Sequence, residues 1–221
     1  NKKILENVDL SKLYEPLDAI NILKKNSYTK FEETLEVAIK LGIDSNKTDQ
    51  NIRGVINLPK GTGKKIVVAV VAKGEKQIEA KDAGADIVGD DDLIQSISDG
   101  KINFDLLIST PDMMPLIGKV AKILGPKGLM PNPKFGTVTN DIKKSVKAIK
   151  SGQIEIKNDK DGNVGASIGK KSFTDSKIIE NFNSLIQTVN KEKPSGIKGD
   201  FILSTFLTSS MGVSYKLKIE K

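Results

Sequence analysis

The spacing of apolar and polar residues changes character twice along the chain. "FEETLEVAIKL", residues 31–41, alternates: Leu35, Val37, Ile39 and Leu41 are apolar, while Glu36 and Lys40 are charged. A period of two sends successive side chains to opposite faces of a pleat, so this stretch predicts a half-buried strand. "SYKLKIE" alternates in the same way through Tyr215, Leu217 and Ile219. "SKIIENFNSLIQTVN" obeys a different rule, with Ile178, Ile179, Phe182, Leu185, Ile186 and Val189 recurring at helical spacing, and it predicts an amphipathic helix. "QIEIKNDKDGNVGASIG" predicts two short strands folded back at Asp161-Gly162, a dipeptide suited to a tight hairpin.

The middle of the chain has another grammar. "KIVVAVVA" is a continuous apolar run of strand length, the pattern of a strand covered on both faces. "EKQIEAKDAG" predicts a short helix ending at Gly84 and "ADIVG" a second strand; "DDLIQSISDG" and "FDLLIST" repeat the theme. "PDMMPLIGKVAKIL" leads into the Gly/Pro-punctuated "ILGPKGLMPNPKFGTV". In "NDIKKSVKAIKSG", Ile142, Val146 and Ile149 share a helical face that Asn140 can cap. Alternating strands and helices imply a mainly parallel sheet. The grammar changes at the Gly-containing "LPKGTGKK" and "KSGQ". The expected organisation is therefore a discontinuous α+β domain, residues 1–64 and 154–221, interrupted by an α/β domain, residues 65–153, with a hinge at the two crossings. One continuous mixed sheet is the competing reading.

Composition narrows the chemistry. The chain has no cysteine and no histidine, which removes disulfides, thiolate nucleophiles, the commonest general base and histidine-containing zinc sites. The longest apolar run, Ile66 to Ala72, is far short of a membrane span, and "NKKILENVDLSKLYE" lacks the apolar centre of a secretory leader, so a cytoplasmic protein with no membrane role is expected. A formal charge of +7 points to a polyanionic partner, nucleic acid first. The charge is concentrated: residues 119–171 hold twelve lysines against Asp141, Glu155, Asp159 and Asp161. Lysines there would neutralise phosphates without reading sequence. For Lys143, Lys144, Lys147 and Lys150 a solvated helix face is the simpler reading.

Most motif candidates dissolve on spacing. "KGTGKK" has one residue between its glycines where a phosphate-binding loop of the Walker type needs four before its Gly-Lys pair, so a hinge or backbone-contact loop is expected. "VVAKGEKQIEA" lacks the glycines of a dinucleotide site. "DKDGN" puts Gly162 fourth rather than sixth and Lys170 where a calcium loop needs a glutamate, which makes it a turn. Asp90, Asp91 and Asp92 suit the start of a helix. With no tryptophan, three tyrosines and seven phenylalanines, the chain is poor in stacking platforms, so an RNA ligand would be met through shape, backbone and 2′-hydroxyls. "LTSSMGVSY" reads first as a hairpin turn. Its hydroxyls, small Gly212 and flexible Met211 also suit a polar ligand pressed close to the backbone.

"LGPKGLMPNPKFGTV", with "PLIGKVAKI" before it, closely resembles the signature of the ribosomal protein L-one family. "KFEETLEVAIKLGID", "DQNIRGVINLPKGTGK", "GQIEIKNDKDGNVGASIGKKSF" and the "SSMG" turn resemble further segments of that family in the same order, over essentially the whole chain from about Tyr28. The resemblance implies a non-enzymatic two-domain protein, a split α+β RNA-binding domain with an inserted Rossmann-like three-layer α/β domain, and no cofactor. It implies binding to structured large-subunit rRNA of the mobile stalk near the tRNA exit site, movement with the stalk as deacylated tRNA leaves, and repression of its own operon mRNA. Positions matching the family's RNA-contacting motifs are Lys30, Phe31, Thr34, Glu36, Lys157, Asp159, Ser204, Ser210, Met211 and Gly212. Lys157 replaces a usual arginine and loses the bidentate fork while keeping charge. Gly165 replaces a usual histidine, Ser167 often a proline or threonine, Ser209 and Ser210 replace threonines, and Val213 is unusual after the Met-Gly pair, so the same site with altered affinity is expected. The alternative function is a nucleotide- or phosphate-binding enzyme built on the inserted domain.

Overall fold

The computed structural model describes residues 12–194, 196–197 and 199–219, so the leader reading of the N-terminal stretch lies outside the described residues up to Ser11. The chain forms two compact units, Asn1–Gly63 with Gly152–Lys221, and Lys64–Ser151.

In the first unit the alternating strand β1 (Thr34–Leu41) lies between β7 (Asn163–Lys170) and β8 (Ile202–Ser209), both antiparallel to it, with β9 (Tyr215–Leu217) beyond β8. Leu35, Val37, Ile39 and Leu41 are at most 1% exposed. They share one core with Ile20 and Leu23 of α1 (Pro16–Asn26) and with Ile178, Phe182, Leu185 and Val189 of α7 (Asp175–Lys191). Each such side chain contributes roughly 1.5–3 kcal/mol by leaving water. A one-residue slip of β1 would exchange this row for Glu36 and Lys40, which pins the register. The opposite face of the sheet carries Glu36, Lys40, Ser204 and Thr208.

The predicted strands and Asp161-Gly162 turn are present, with the Asp159 N–H donating to the Asn163 carbonyl across the turn at 2.8 Å, but the two strands hardly pair with each other. β6 (Gln153–Lys157) pairs along its whole length with β2 (Arg53–Asn57), and its link to β7 is a single bridge, Asn158 to Val164. Asn158 supplies the reason. Its Oδ1 accepts the Ile52 N–H at 2.8 Å and its Nδ2 donates to Asn51 Oδ1 at 3.0 Å, holding β6 against β2 just before the turn. Beyond Val164 the chain continues as a partner of the longer β1. β9 is also shorter than the alternation predicts, with Ile219 outside the strand and half-buried.

The second unit is built on three parallel strands in the order β4-β3-β5: β3 (Val68–Val71), β4 (Ile87–Gly89) and β5 (Leu106–Ser109). All four residues of β3 are buried, as its unbroken apolar run requires. Val68 and Val70 pack against Ala80 of α2 (Glu75–Asp82) and Ile142, Val146 and Ile149 of α6 (Ile142–Lys150). Ala69 and Val71 face the other way, toward Ile94 and Ile97 of α3 (Asp91–Ser98) and the short helices α4 (Met114–Ile117) and α5 (Ala121–Leu124). The sheet is thus covered by helices on both faces. The expected Asn140 cap of α6 is corrected to Asp141, whose Oδ1 accepts the Lys144 N–H at 3.2 Å. Asn140 instead accepts from Lys76 Nζ at 2.7 Å. Among the described residues no helix is long and apolar enough to cross a membrane.

Candidate nucleic-acid interface

The start of β1 is joined to the turn after β8 by a reciprocal pair of bonds. The Thr34 N–H donates to Ser210 Oγ at 3.1 Å and the Ser210 N–H donates to the Thr34 carbonyl at 3.1 Å. Glu33, only 1% exposed, accepts the Met211 N–H on Oε1 at 3.2 Å. The Tyr28 hydroxyl donates to the Met211 carbonyl at 3.1 Å. With its backbone held on both sides, Met211 projects a half-exposed side chain, and Phe31 and Tyr28 are exposed to a similar degree. Gly212 has no room for a larger residue, since a Cβ there would run into the Ser209 side chain and lie 3.4 Å from Leu23. Lys170 Nζ donates to Thr34 Oγ1 at 2.8 Å and brings a cation to the same corner.

The ten sequence-predicted residues do not all meet. Thr34, Ser210, Met211 and Gly212 form this corner, with Lys30 and Phe31 exposed on the bend that enters β1. Glu36 follows on the outward face between Ser167 of β7 and Thr208 of β8. Ser204 lies opposite Lys40, near the other end of the strand. At about 3.3 Å per residue the two ends of β1 are roughly 20 Å apart. Asp159 belongs to that far end: its carboxylate accepts the Asn163 and Asp161 N–H groups at 2.7 and 2.9 Å and the Asn163 amide at 2.9 Å. These bonds, the Asn163 backbone first, hold it below the usual carboxylate range and organise the turn. Lys157 is exposed on the separate two-stranded sheet, opposite Arg53.

Tyr28, Glu33 and Thr208 escaped the sequence reading, which named Ser167 only as a departure from the family pattern and Lys170 only within the lysine-rich stretch. One of them left a signal. The period of two that buries Leu35 and Val37 also points Glu33 inward when extended backward, and a buried glutamate demands a donor.

In the second unit, the Gly/Pro-rich stretch is held by its own bonds. The Asn132 N–H donates to Thr137 Oγ1 at 2.8 Å, which donates back to the Asn132 carbonyl at 3.0 Å. Thr137 and Thr139 then flank Ser109 of β5, so the stretch extends the sheet edge beside Val138. Among the described residues no group of three or more acidic side chains is placed to hold a metal ion.

Fold and surface together define a mixed α/β protein with polar groups along an open sheet face and at a turn held by backbone bonds. The chain belongs to the ribosomal protein L1p/L10e family, whose model matches residues 23–213. It is 52% identical over 214 residues to the large ribosomal subunit protein uL1 of Rickettsia peacockii (strain Rustic), covering 97% of this chain and 90% of that protein. It is 56% identical over 200 residues to the protein of the same name from Pelagibacter ubique (strain HTCC1062), covering 90% of this chain and 87% of that one. Membership makes the chain a structural ribosomal component and not an enzyme, which removes the nucleotide-dependent alternative.

Proposed function

We propose that this chain is a constituent of the large ribosomal subunit that binds structured rRNA of the mobile stalk near the tRNA exit site and assists release of deacylated tRNA. In this reading the first unit is the split RNA-binding domain and the second an inserted Rossmann-like domain. The relatives in Rickettsia and Pelagibacter carry large-subunit names, which supports the assignment. The observation that carries it is the corner where Thr34 and Ser210 lock each other and Glu33 and Tyr28 hold Met211. A surface fixed by backbone bonds matches RNA shape with little ordering cost on binding.

Each group has a task in that complex. Lys30, Lys157 and Lys170 neutralise phosphates, giving affinity that falls with salt. Thr34, Ser204 and Ser210 offer hydroxyls to 2′-OH and phosphate oxygens, Phe31 and Met211 make apolar contact with sugar and base, and Gly212 admits the backbone closely. An operon mRNA folded like the stalk element would compete for the same face, which is how the chain would repress its own synthesis. Filter binding of the stalk rRNA fragment tests the placement. Met211→Asp sets a carboxylate against phosphates and should weaken binding by about 100-fold or more, whereas Lys143→Ala on α6 should change it less than about 2-fold. Equal effects of the two variants would overturn the assignment.

A further inference from the structure

The middle of the open sheet face carries an aromatic ring that neither the core nor the Ser210–Gly212 corner uses. On β8 the core side takes Leu207 and, two residues before it, the buried Thr205; Phe206, between them, points to the other side and is half-buried. Its neighbours are set by register: Ala38 on β1, with Gly165 of β7 beyond Ala38, and Lys216 of β9 on the opposite flank. Ala38 and Gly165 are exposed and nearly without side chains, so the floor beside the ring is low over two strand spacings, roughly 10 Å. Ser204 and Thr208 stand two residues either side of Phe206 on the same face. Lys40, Lys170 and Lys216 share that face with the carboxylate of Glu36, and the Asp159 carboxylate lies near Lys40 at its far end.

We propose that Phe206 is a stacking platform for one unpaired base of the bound RNA, with Lys216 beside the ring meeting the adjoining phosphate and the Thr208 hydroxyl meeting the base edge. An aromatic ring at the centre of a four-stranded sheet face, with helices on the opposite face, offers a flat apolar surface at a site where the surrounding charge favours a polyanion. The small residues beside it leave one approach clear for a planar ligand, and the lysines select a nucleotide over an uncharged aromatic. Shape and hydroxyl recognition at the Ser210–Gly212 corner would then be joined by direct contact with a base four residues further along the sheet, roughly 13 Å away.

This inference rests on the RNA-binding reading, and the test separates the two. The full chain is titrated with the stalk rRNA fragment carrying 2-aminopurine at each unpaired position in turn. Phe206→Ser should lower affinity roughly 5- to 150-fold and abolish the fluorescence quenching at one position, and Phe206→Tyr should restore both. Thermal midpoints should match wild type, because the ring lies outside the core. Wild-type affinity in Phe206→Ser or Phe206→Leu, or quenching that survives either substitution, would overturn the stacking role. If Met211→Asp weakens binding while Phe206→Ser does not, only the stacking proposal fails; if neither does, the RNA-binding reading fails with it.

Discussion

Asn181 shows how one side chain ties distant segments together. It lies on the buried stripe of α7 and is completely enclosed. Its Oδ1 accepts the Lys60 N–H at 3.0 Å, and its Nδ2 donates to the Gly61 and Ile168 carbonyls, both at 2.8 Å. The "KGTGKK" stretch is therefore a backbone-contact loop clamped to helix and sheet, and Gly152 packs so closely on Gly61 that a Cβ there would clash with its Cα. Asn181→Leu keeps the branched shape but strands the Lys60 N–H and two carbonyls, each costing about 1–3 kcal/mol when buried unpaired. The predicted loss is on the order of 3 kcal/mol, read as a lower urea midpoint at unchanged slope; a loss under about 0.5 kcal/mol would contradict the clamp. The helical spacing placed residue 181 on the inner stripe, but its partners, up to 121 residues away, leave no trace in local pattern. Glu33 is similar: its burial follows from the alternation of β1, while its bond to Met211 spans 178 residues.

Elements were legible where their period was long and clean. β1, α6 and α7 follow their apolar spacing closely, and β3 is the buried strand that its unbroken run implies. Ends and partners were less so. At the start of α6, Asn140 and Asp141 are both good caps in sequence, and only the positions of the Lys144 amide and Lys76 ammonium assign Asp141 to the helix and Asn140 to α2. Asp141→Ala should cost about 1 kcal/mol and lower the thermal midpoint by about 2–4 °C, with Asn140→Ala well under half of that. The reverse order in thermal melts would return the cap to Asn140. The β6–β7 turn makes the same point: Asp161-Gly162 encodes a reversal of the chain, but the competition between β2 and β7 for β6 is settled by Asn158 and by the core position of Ile156.

At the scale of the molecule, two carboxylates anchor the start of β3 and link stability to pH. Asp86 accepts the Val68 N–H at 2.9 Å and pairs with Lys150 at 3.2 Å; Asp105 accepts the Val67 N–H at 3.0 Å and pairs with Lys64 at 2.6 Å. The Val68 bond chiefly holds Asp86, and the Lys64 bond chiefly holds Asp105, below the ordinary carboxylate value of 3.8. A depressed folded value means the unfolded chain binds protons more readily, so the stabilisation is complete above that ordinary value and disappears as pH falls through the folded one. Both groups are largely solvated, so the effect is modest. Asp86→Asn combined with Asp105→Asn should melt below wild type at pH 7, and the gap should close toward pH 3. A gap that stays constant from pH 7 to 3 would show that these carboxylates do not carry the acid sensitivity.

The family, the boundaries where the residue grammar changes, the inward rows of β1 and α7, and the gathering of lysines after residue 119 are all written locally. Periodicity and composition depend only on neighbours along the chain. Which strands pair and which side chains share a surface depend on contacts between segments far apart, and only the folded chain decides them. It decided that Thr34 and Ser210, 176 residues apart, lock into one corner, that Asp159 and Ser204 lie near the other end of β1, and that Lys157 stands on a different sheet. It also set Phe206 among Ala38, Gly165 and Lys216, because register aligns a side chain with neighbours that no local pattern names.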